Sequence, residues 1–239
     1  MASGYKRILL KVSGEALAGD NSFGIEPPFL QGVARQIADV ARTGTQVAIV
    51  VGGGNIFRGM AGAADGTDRV TADLMGMLGT MINALALSNA ISRQGVKSKP
   101  FSAATMPSVA DTFTARDAKL ALEEGFVVVL GGGTGNPFFT TDTAATLRAI
   151  ELECDVVLKG TKVDGVYSDD PKKNPDAVRY AHISFDDVIS QNLKVMDTAA
   201  FALARDNRMP IIVYALDVAE GLSGVLEGRG RSTLVGDHG

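Results

Sequence analysis

The sequence predicts an α/β fold, a three-layer αβα sandwich on a mostly parallel central sheet. Three observations lead there. Short apolar, β-branched runs recur along the chain. Several are apolar on both faces, as strands covered from two sides are. Longer stretches of helical periodicity separate them, the alternation that builds a parallel sheet with helices on both faces. The 239 residues are 46% hydrophobic and 21% charged, which is enough for a buried core and too apolar for a disordered chain.

The elements follow in order. Arg7–Val12 reads as the first strand and is closed by Ser13-Gly14. Pro28–Thr43 has helical spacing. Gln46–Val51 is the second strand, ended by Gly52-Gly53-Gly54-Asn55. Thr71–Arg93 is helical and apolar around more than one face, so it is either central in the fold or buried between subunits. A weaker strand lies near Lys99–Ala103, and a helix over Ala115–Glu124. Phe126–Leu130 is the next strong strand, followed by Gly131-Gly132-Gly133-Thr134-Gly135-Asn136. A helix over Asp142–Glu153 precedes the strand Asp155–Lys159, which leads into Gly160-Thr161-Lys162. A helix over Lys194–Asn207 and a strand over Pro210–Tyr214 complete the set. The polar, glycine-rich tail Gly228–Gly239 is expected to fray. No linker or internal repeat divides the chain, so residues 1–239 are expected to form a single domain.

Charge narrows the function classes. The net charge is −4, which argues against a general electrostatic grip on nucleic acid. A small anion must be held by focused local groups instead. No apolar run approaches the ~20 residues of a membrane span, and Met1–Lys11 has no hydrophobic signal core. A cytoplasmic protein is expected. The single cysteine, Cys154, has no partner in the chain, which suits a reducing compartment, and it reads as a small buried hydrophobe. The two histidines, His182 and His238, are too far apart for metal-ligand spacing.

Glycine is the outlier, with 28 residues, about 12% against a usual ~7%. Many cluster directly after predicted strands. Ligands of open parallel sheets bind outside the carboxyl ends of the strands. Glycine there lets backbone N–H groups approach and point at an anion. The common phosphate signatures are missing: there is no Gly-x-x-x-x-Gly-Lys-Ser/Thr, no Gly-x-Gly-x-x-Gly and no protein-kinase set. What remains is charge at strand ends. Lys11 ends the first strand, Lys159 ends a later one, Arg58 follows the triple glycine, and Asp142 opens a helix. In-line phosphoryl transfer needs two phosphate-bearing substrates held in line and cations on the migrating group. Two converging lysines would supply the cations, and a carboxylate between them could orient their ammonium groups.

The stretches Lys11-Val-Ser-Gly-Glu-Ala, Gly52-Gly-Gly-Asn-Ile-Phe-Arg-Gly59, Gly133-Thr-Gly-Asn-Pro-Phe-Phe-Thr-Thr-Asp142 and Lys159-Gly-Thr-Lys-Val-Asp-Gly-Val-Tyr167 resemble the bacterial uridylate (UMP) kinases, a branch of the amino acid kinase family. The resemblance runs from about Tyr5 to about Val235. The Thr-Gly-Asn-Pro-Phe-Phe-Thr-Thr-Asp stretch is its most specific part. It implies the amino acid kinase fold, with an N-terminal part mainly on the UMP side and a C-terminal part mainly on the ATP side. The implied reaction moves the γ-phosphoryl group of Mg·ATP to UMP in pyrimidine nucleotide biosynthesis, with Mg²⁺ carried by ATP and no direct metal ligand.

By the same resemblance Lys11, Lys159 and Asp142 are the catalytic set. Lys11, Val12, Ser13, Gly14, Gly54, Arg58, Thr161, Tyr167 and Asp170 are ATP contacts. Gly53 is a UMP contact and Asp73 a ribose ligand. Thr134, Gly135, Asn136, Pro137, Phe138, Phe139, Thr140 and Thr141 form the UMP loop, with the two phenylalanines as apolar walls. Asp197 lies near the nucleotides, although its place at a helix start is explanation enough. The resemblance also implies a homohexamer built from dimers, which favours an interface role for Thr71–Arg93. It implies nucleotide effectors, GTP and UTP, linked to the loop Gly19, Asp20, Asn21, Ser22, Phe23 and Gly24. Two other readings remain: a kinase for carbamate or an acylated amino acid, and a non-catalytic nucleotide-binding storage relative. The Phe-Phe-Thr-Thr loop argues against the first, and the presence of Lys11, Lys159 and Asp142 against the second.

Overall fold

A computed structural model of the chain describes residues 4–57, 66–171, 173–193, 195–216 and 221–236. Within them the apolar runs form the strands β1 (Arg7–Val12), β2 (Gln46–Val51), β3 (Ser98–Ser102), β5 (Val127–Gly131), β6 (Val156–Thr161) and β8 (Ile211–Ala215). Three short strands join them: β4 (Asp111–Thr112), β7 (His182–Ile183) and β9 (Ser232–Val235). All belong to one sheet of order β4-β3-β5-β2-β1-β6-β8-β9-β7. Every neighbouring pair is parallel except β8 with β9.

The helices are α1 (Gly14–Leu17), α2 (Pro27–Arg42), α3 (Arg69–Arg93), α4 (Ala115–Glu123), α5 (Thr141–Glu151), α6 (Phe185–Ser190), α7 (Thr198–Asp206) and α8 (Gly221–Leu226). Alternate residues of the central strands face opposite layers. Ile8, Leu10, Val156 and Leu158 pack under α2, α3 and α8. Leu9 and Val157 pack under α5, α6 and α7. The three-layer αβα sandwich is therefore present.

Three sequence expectations are corrected. The helix expected over Lys194–Asn207 begins only at Thr198, because Asp197 is extended and its carboxylate accepts from the Ala200 N–H as the N-cap. Lys159 does not end its strand. β6 continues through Gly160 and Thr161, and Gly160 pairs with Val12 on one side and Tyr214 on the other. A Cβ on Gly160 would lie 2.4 Å from Leu216 Cδ2, so a larger residue there would have to displace that side chain. The tail does not fray as far as residue 236. Thr233, fully buried in β9, accepts from the Val166 N–H at 2.8 Å and donates to the Tyr180 carbonyl. A four-residue strand with one buried threonine carries too little apolar pattern to stand out in the sequence.

α3 starts at Arg69 behind an Asp68 cap that accepts from the Thr71 N–H. It is the one helix among the described residues long and apolar enough, by length and composition, to cross a membrane, and half of its most apolar window is buried. Its inner side packs on β5, β3 and β2, whereas Leu74, Leu78, Ile82 and Leu85 are exposed. Cys154 is buried as expected, and burial pushes its thiol up to about 12.

Candidate active site

β5, β2, β1 and β6 are neighbours in that order and all parallel, so their carboxyl ends share one edge of the sheet. The turns 132–136, 52–54 and 13–14 meet along that edge. The chain leaves β1 for β2 on one side and returns as β6 on the other, which makes this the switch point where a crevice opens.

Lys11 and Lys159 are direct partners in the β1–β6 register. Partners on neighbouring parallel strands point to the same face, so both side chains rise toward the layer that contains α5. The first turn of α5 brings Asp142 down between them. Lys11 Nζ is 2.8 Å from Asp142 Oδ1, and Lys159 Nζ is 2.6 Å from Oδ2. Thr140 sets this approach: its hydroxyl caps α5 by accepting from the N–H groups of Asp142 and Thr143. Burial alone pushes the Asp142 carboxyl up, but the two ammonium groups outweigh it and hold the carboxyl below the ordinary carboxylate range. Burial pulls the Lys159 ammonium below its usual value, and Asp142 opposes that pull. Lys159 also donates to the Val195 carbonyl.

A cleft of about 770 Å³ opens from the two lysines. Of the residues expected on the ATP side, Lys11, Ser13, Thr161, Tyr167 and Asp170 line it, together with Lys159. The Tyr167 hydroxyl donates to Asp164 at 2.5 Å. The Val12 side chain is turned into the core, so only its backbone faces the edge. Gly14 is buried against the neighbouring glycine turn rather than lining the cleft. Gly54 lies in that turn, with only the Glu15 side chain near the direction of a Cβ. Arg58 lies outside the described residues.

The residues expected on the UMP side lie across the lysines from this cleft. Asp73, on α3, accepts from the Phe138 N–H at 2.7 Å and from Arg69 Nε at 2.8 and 2.9 Å. It thus ties α3 to the loop after β5. Within that loop Thr134 Oγ1 accepts from the Asn136 N–H, and Pro137 leads to Phe138 at φ 73°. A bulky residue in the left-handed region is strained, and such strain concentrates where the chain serves a site. Phe138 and Phe139 are 64% and 52% exposed, so the expected walls stand open to solvent. Thr141 reaches Gly52, its hydroxyl lying 3.6 Å from where a Gly52 Cβ would stand. Gly53 has a reason of its own to be glycine: a Cβ there would lie 2.7 Å from the Gly76 carbonyl oxygen and 2.9 Å from the Thr80 nitrogen of α3.

Arg148 and Thr80 were not singled out in the sequence, and the contacts that Asp197 makes were not legible there. Arg148 is buried over the Phe113 ring at 4.1 Å and donates to the Gly133 and Thr134 carbonyls, each at 3.4 Å. Thr80 Oγ1 accepts from the Gly132 N–H at 2.7 Å. Asp197 Oδ1 accepts from Thr143 at 2.8 Å and Oδ2 from Thr140. Each partner lies on a distant segment, so no local spacing announces it. The loop Gly19–Gly24 packs beside the site, with Gly24 bonded to Asn55. Among the described residues no group of three or more His, Cys, Asp or Glu side chains is placed to hold a metal by itself.

The chain as a whole is similar to known proteins. A family model described as the amino acid kinase family matches residues 6–215. A UMP kinase structure from Bacillus anthracis has a TM-score of 0.94 and 38% identity, covering 98% of this chain and 97% of that one. A UMP kinase from Ureaplasma parvum gives 0.92 and 39%, covering 97% and 99%. A uridylate kinase from Archaeoglobus fulgidus gives 0.74 and 27%, covering 95% and 99%.

Proposed function

The chain belongs to the amino acid kinase family, and from that premise we propose that it is a UMP kinase, transferring the γ-phosphoryl group of Mg·ATP to UMP to give UDP and ADP. The observation that carries the reading is the Lys11–Asp142–Lys159 contact at the switch point, with the cleft on one side and the strained Phe138 loop on the other. ATP occupies the cleft, and UMP lies against Asp73 and residues 134–141. A phosphate oxygen of UMP attacks the γ-phosphorus as the bond to the ADP oxygen breaks. The two ammonium groups offset charge on the migrating group, and Asp142 keeps both aimed at it. Mg²⁺ carried on the ATP phosphates, with no ligand from this chain, would supply neutralisation of their charge.

The single domain divides accordingly, with UMP mainly on its N-terminal part and ATP mainly on its C-terminal part. The exposed apolar strip of α3 pairs with a second copy, and dimers assemble into a hexamer. GTP and UTP act as effectors through the loop Gly19–Gly24. The reaction supplies the pyrimidine nucleotide pathway in the cytoplasm. A coupled ADP-release assay with UMP, CMP, dTMP and carbamate as acceptors tests the reading. Turnover with UMP far above the others is expected. Preference for carbamate, or nucleotide binding with no transfer to any acceptor, would overturn it.

A further inference from the structure

The glycine turn after β2 is held from behind by two asparagine side chains. Asn55 closes the turn and Asn83 lies in the middle of α3; they are 1% and 0% exposed. Asn83 Nδ2 donates to the Gly52 carbonyl at 2.7 Å and to Asn55 Oδ1 at 2.6 Å. Asn55 Nδ2 donates to Asn83 Oδ1 at 3.1 Å and to the Gly24 carbonyl at 2.7 Å. Both amides are thus fully used as donors, and both of their oxygens accept. The Gly24 N–H returns a bond to the Asn55 carbonyl at 2.9 Å.

The same corner reaches the turn after β1. A Cβ on Gly14 would stand 2.5 Å from Asn55 Oδ1, 2.8 Å from the Gly54 nitrogen and 2.9 Å from the Gly52 carbonyl oxygen. The two turns therefore touch backbone to backbone, with Asn55 filling the space beside both. Two leucines would have the same branched shape with no polar group to satisfy. Buried amides are costly unless every bond is made, and when made they fix direction as well as distance.

We infer that Asn55 and Asn83 form a positioning pair that sets the spacing between the turn Ser13–Gly14 and the turn Gly52–Gly54, and so the alignment of donor and acceptor phosphates. This rests on the two-nucleotide reading above. Neither side chain needs to touch a nucleotide: the pair acts through the Gly52 carbonyl and the Gly14 contact. A misplacement of about 1 Å suffices to cost about 10²-fold in an in-line reaction.

Asn83→Asp keeps the shape but sets an acceptor against the Gly52 carbonyl, and Asn83→Ser removes most of the amide. Each variant is measured for kcat with ATP and UMP, for the Kd of each nucleotide alone, and for backbone hydrogen exchange over residues 12–16 and 52–57. The expected result is a kcat lower by about 10²-fold, each Kd within about threefold of wild type, and faster exchange in both segments. A kcat within about threefold of wild type, or a loss confined to the affinity for one nucleotide, would overturn the inference. If neither variant folds, the pair maintains the fold rather than the spacing, and the inference is equally wrong. A wild type that cannot phosphorylate UMP would sink the functional reading instead, and the exchange data would still judge the pair.

Discussion

Replacing Asp142 with Asn removes the one carboxylate shared by Lys11 and Lys159 while keeping its shape. The two contacts, 2.8 and 2.6 Å, involve side chains that are all less than 15% exposed, so solvent screens them little. Breaking a buried pair of this kind costs about 3–5 kcal/mol. For a chain of this size that lowers the thermal midpoint by about 6–20 °C. The pH dependence is the sharper test. The Lys159 ammonium is already pulled below its ordinary value by burial, and Asp142 is what opposes the pull. Without the carboxylate its pKa falls further. Lys159 works as a cation, so activity fades as pH rises through that pKa. The descending limb of kcat/KM, which reports the free enzyme, should therefore move to lower pH. Stability should behave in the opposite sense. Between the lowered folded pKa and the unfolded value the unfolded chain binds more protons, so the variant should become more stable as pH rises. The measurements are kcat/KM and thermal midpoint from pH 6 to 10 for both proteins. A descending limb unmoved to within half a unit, with an unchanged midpoint, would refute the role of Asp142 as the lysines' counter-charge.

Three further outcomes are expected. Lys11→Ala and Lys159→Ala should each lower UMP-dependent turnover by about 10²–10³ while circular dichroism shows the fold retained; near-wild-type turnover removes that lysine from the mechanism. Gly53→Ala forces a methyl against the backbone of α3, and overpacking of this kind costs about 1–3 kcal/mol, a fall of about 2–12 °C in the thermal midpoint; a midpoint unchanged by scanning calorimetry contradicts the close approach. Leu78→Asp places a charge on the exposed strip of α3, where Leu78 is 56% exposed; sedimentation velocity should show smaller assemblies than wild type, and an equal mass excludes that strip from the interface.

The architecture was legible because its central strands are apolar on both faces and its glycine clusters follow them directly. The short strands β4, β7 and β9 were not, since two or four residues give no periodicity to read. The lysines and Asp142 were legible as chemistry, but their contact was not: it depends on the β1–β6 register and on how Thr140 starts α5. Gly53 and Gly160 were open to a ligand-based explanation until the structure placed α3 and Leu216 against them. Asn55 sat within a motif that drew notice for its glycines, and its partner is 28 residues away on another element. Nothing in the local sequence marks Arg148, because the Phe113 ring beneath it comes from the far side of β5 in sequence.

Lys11 and Lys159 sit side by side in paired strands, so the sheet acts as a ruler for the reaction, holding the two backbones about 4.8 Å apart. Loops around the site can lengthen, shorten or change composition without disturbing that interval. A single-residue insertion or deletion inside either strand cannot, for it would swing one lysine to the opposite layer. Tolerance to indels should therefore drop sharply within these twelve positions, six in each strand, and length variation should be carried by the connecting segments.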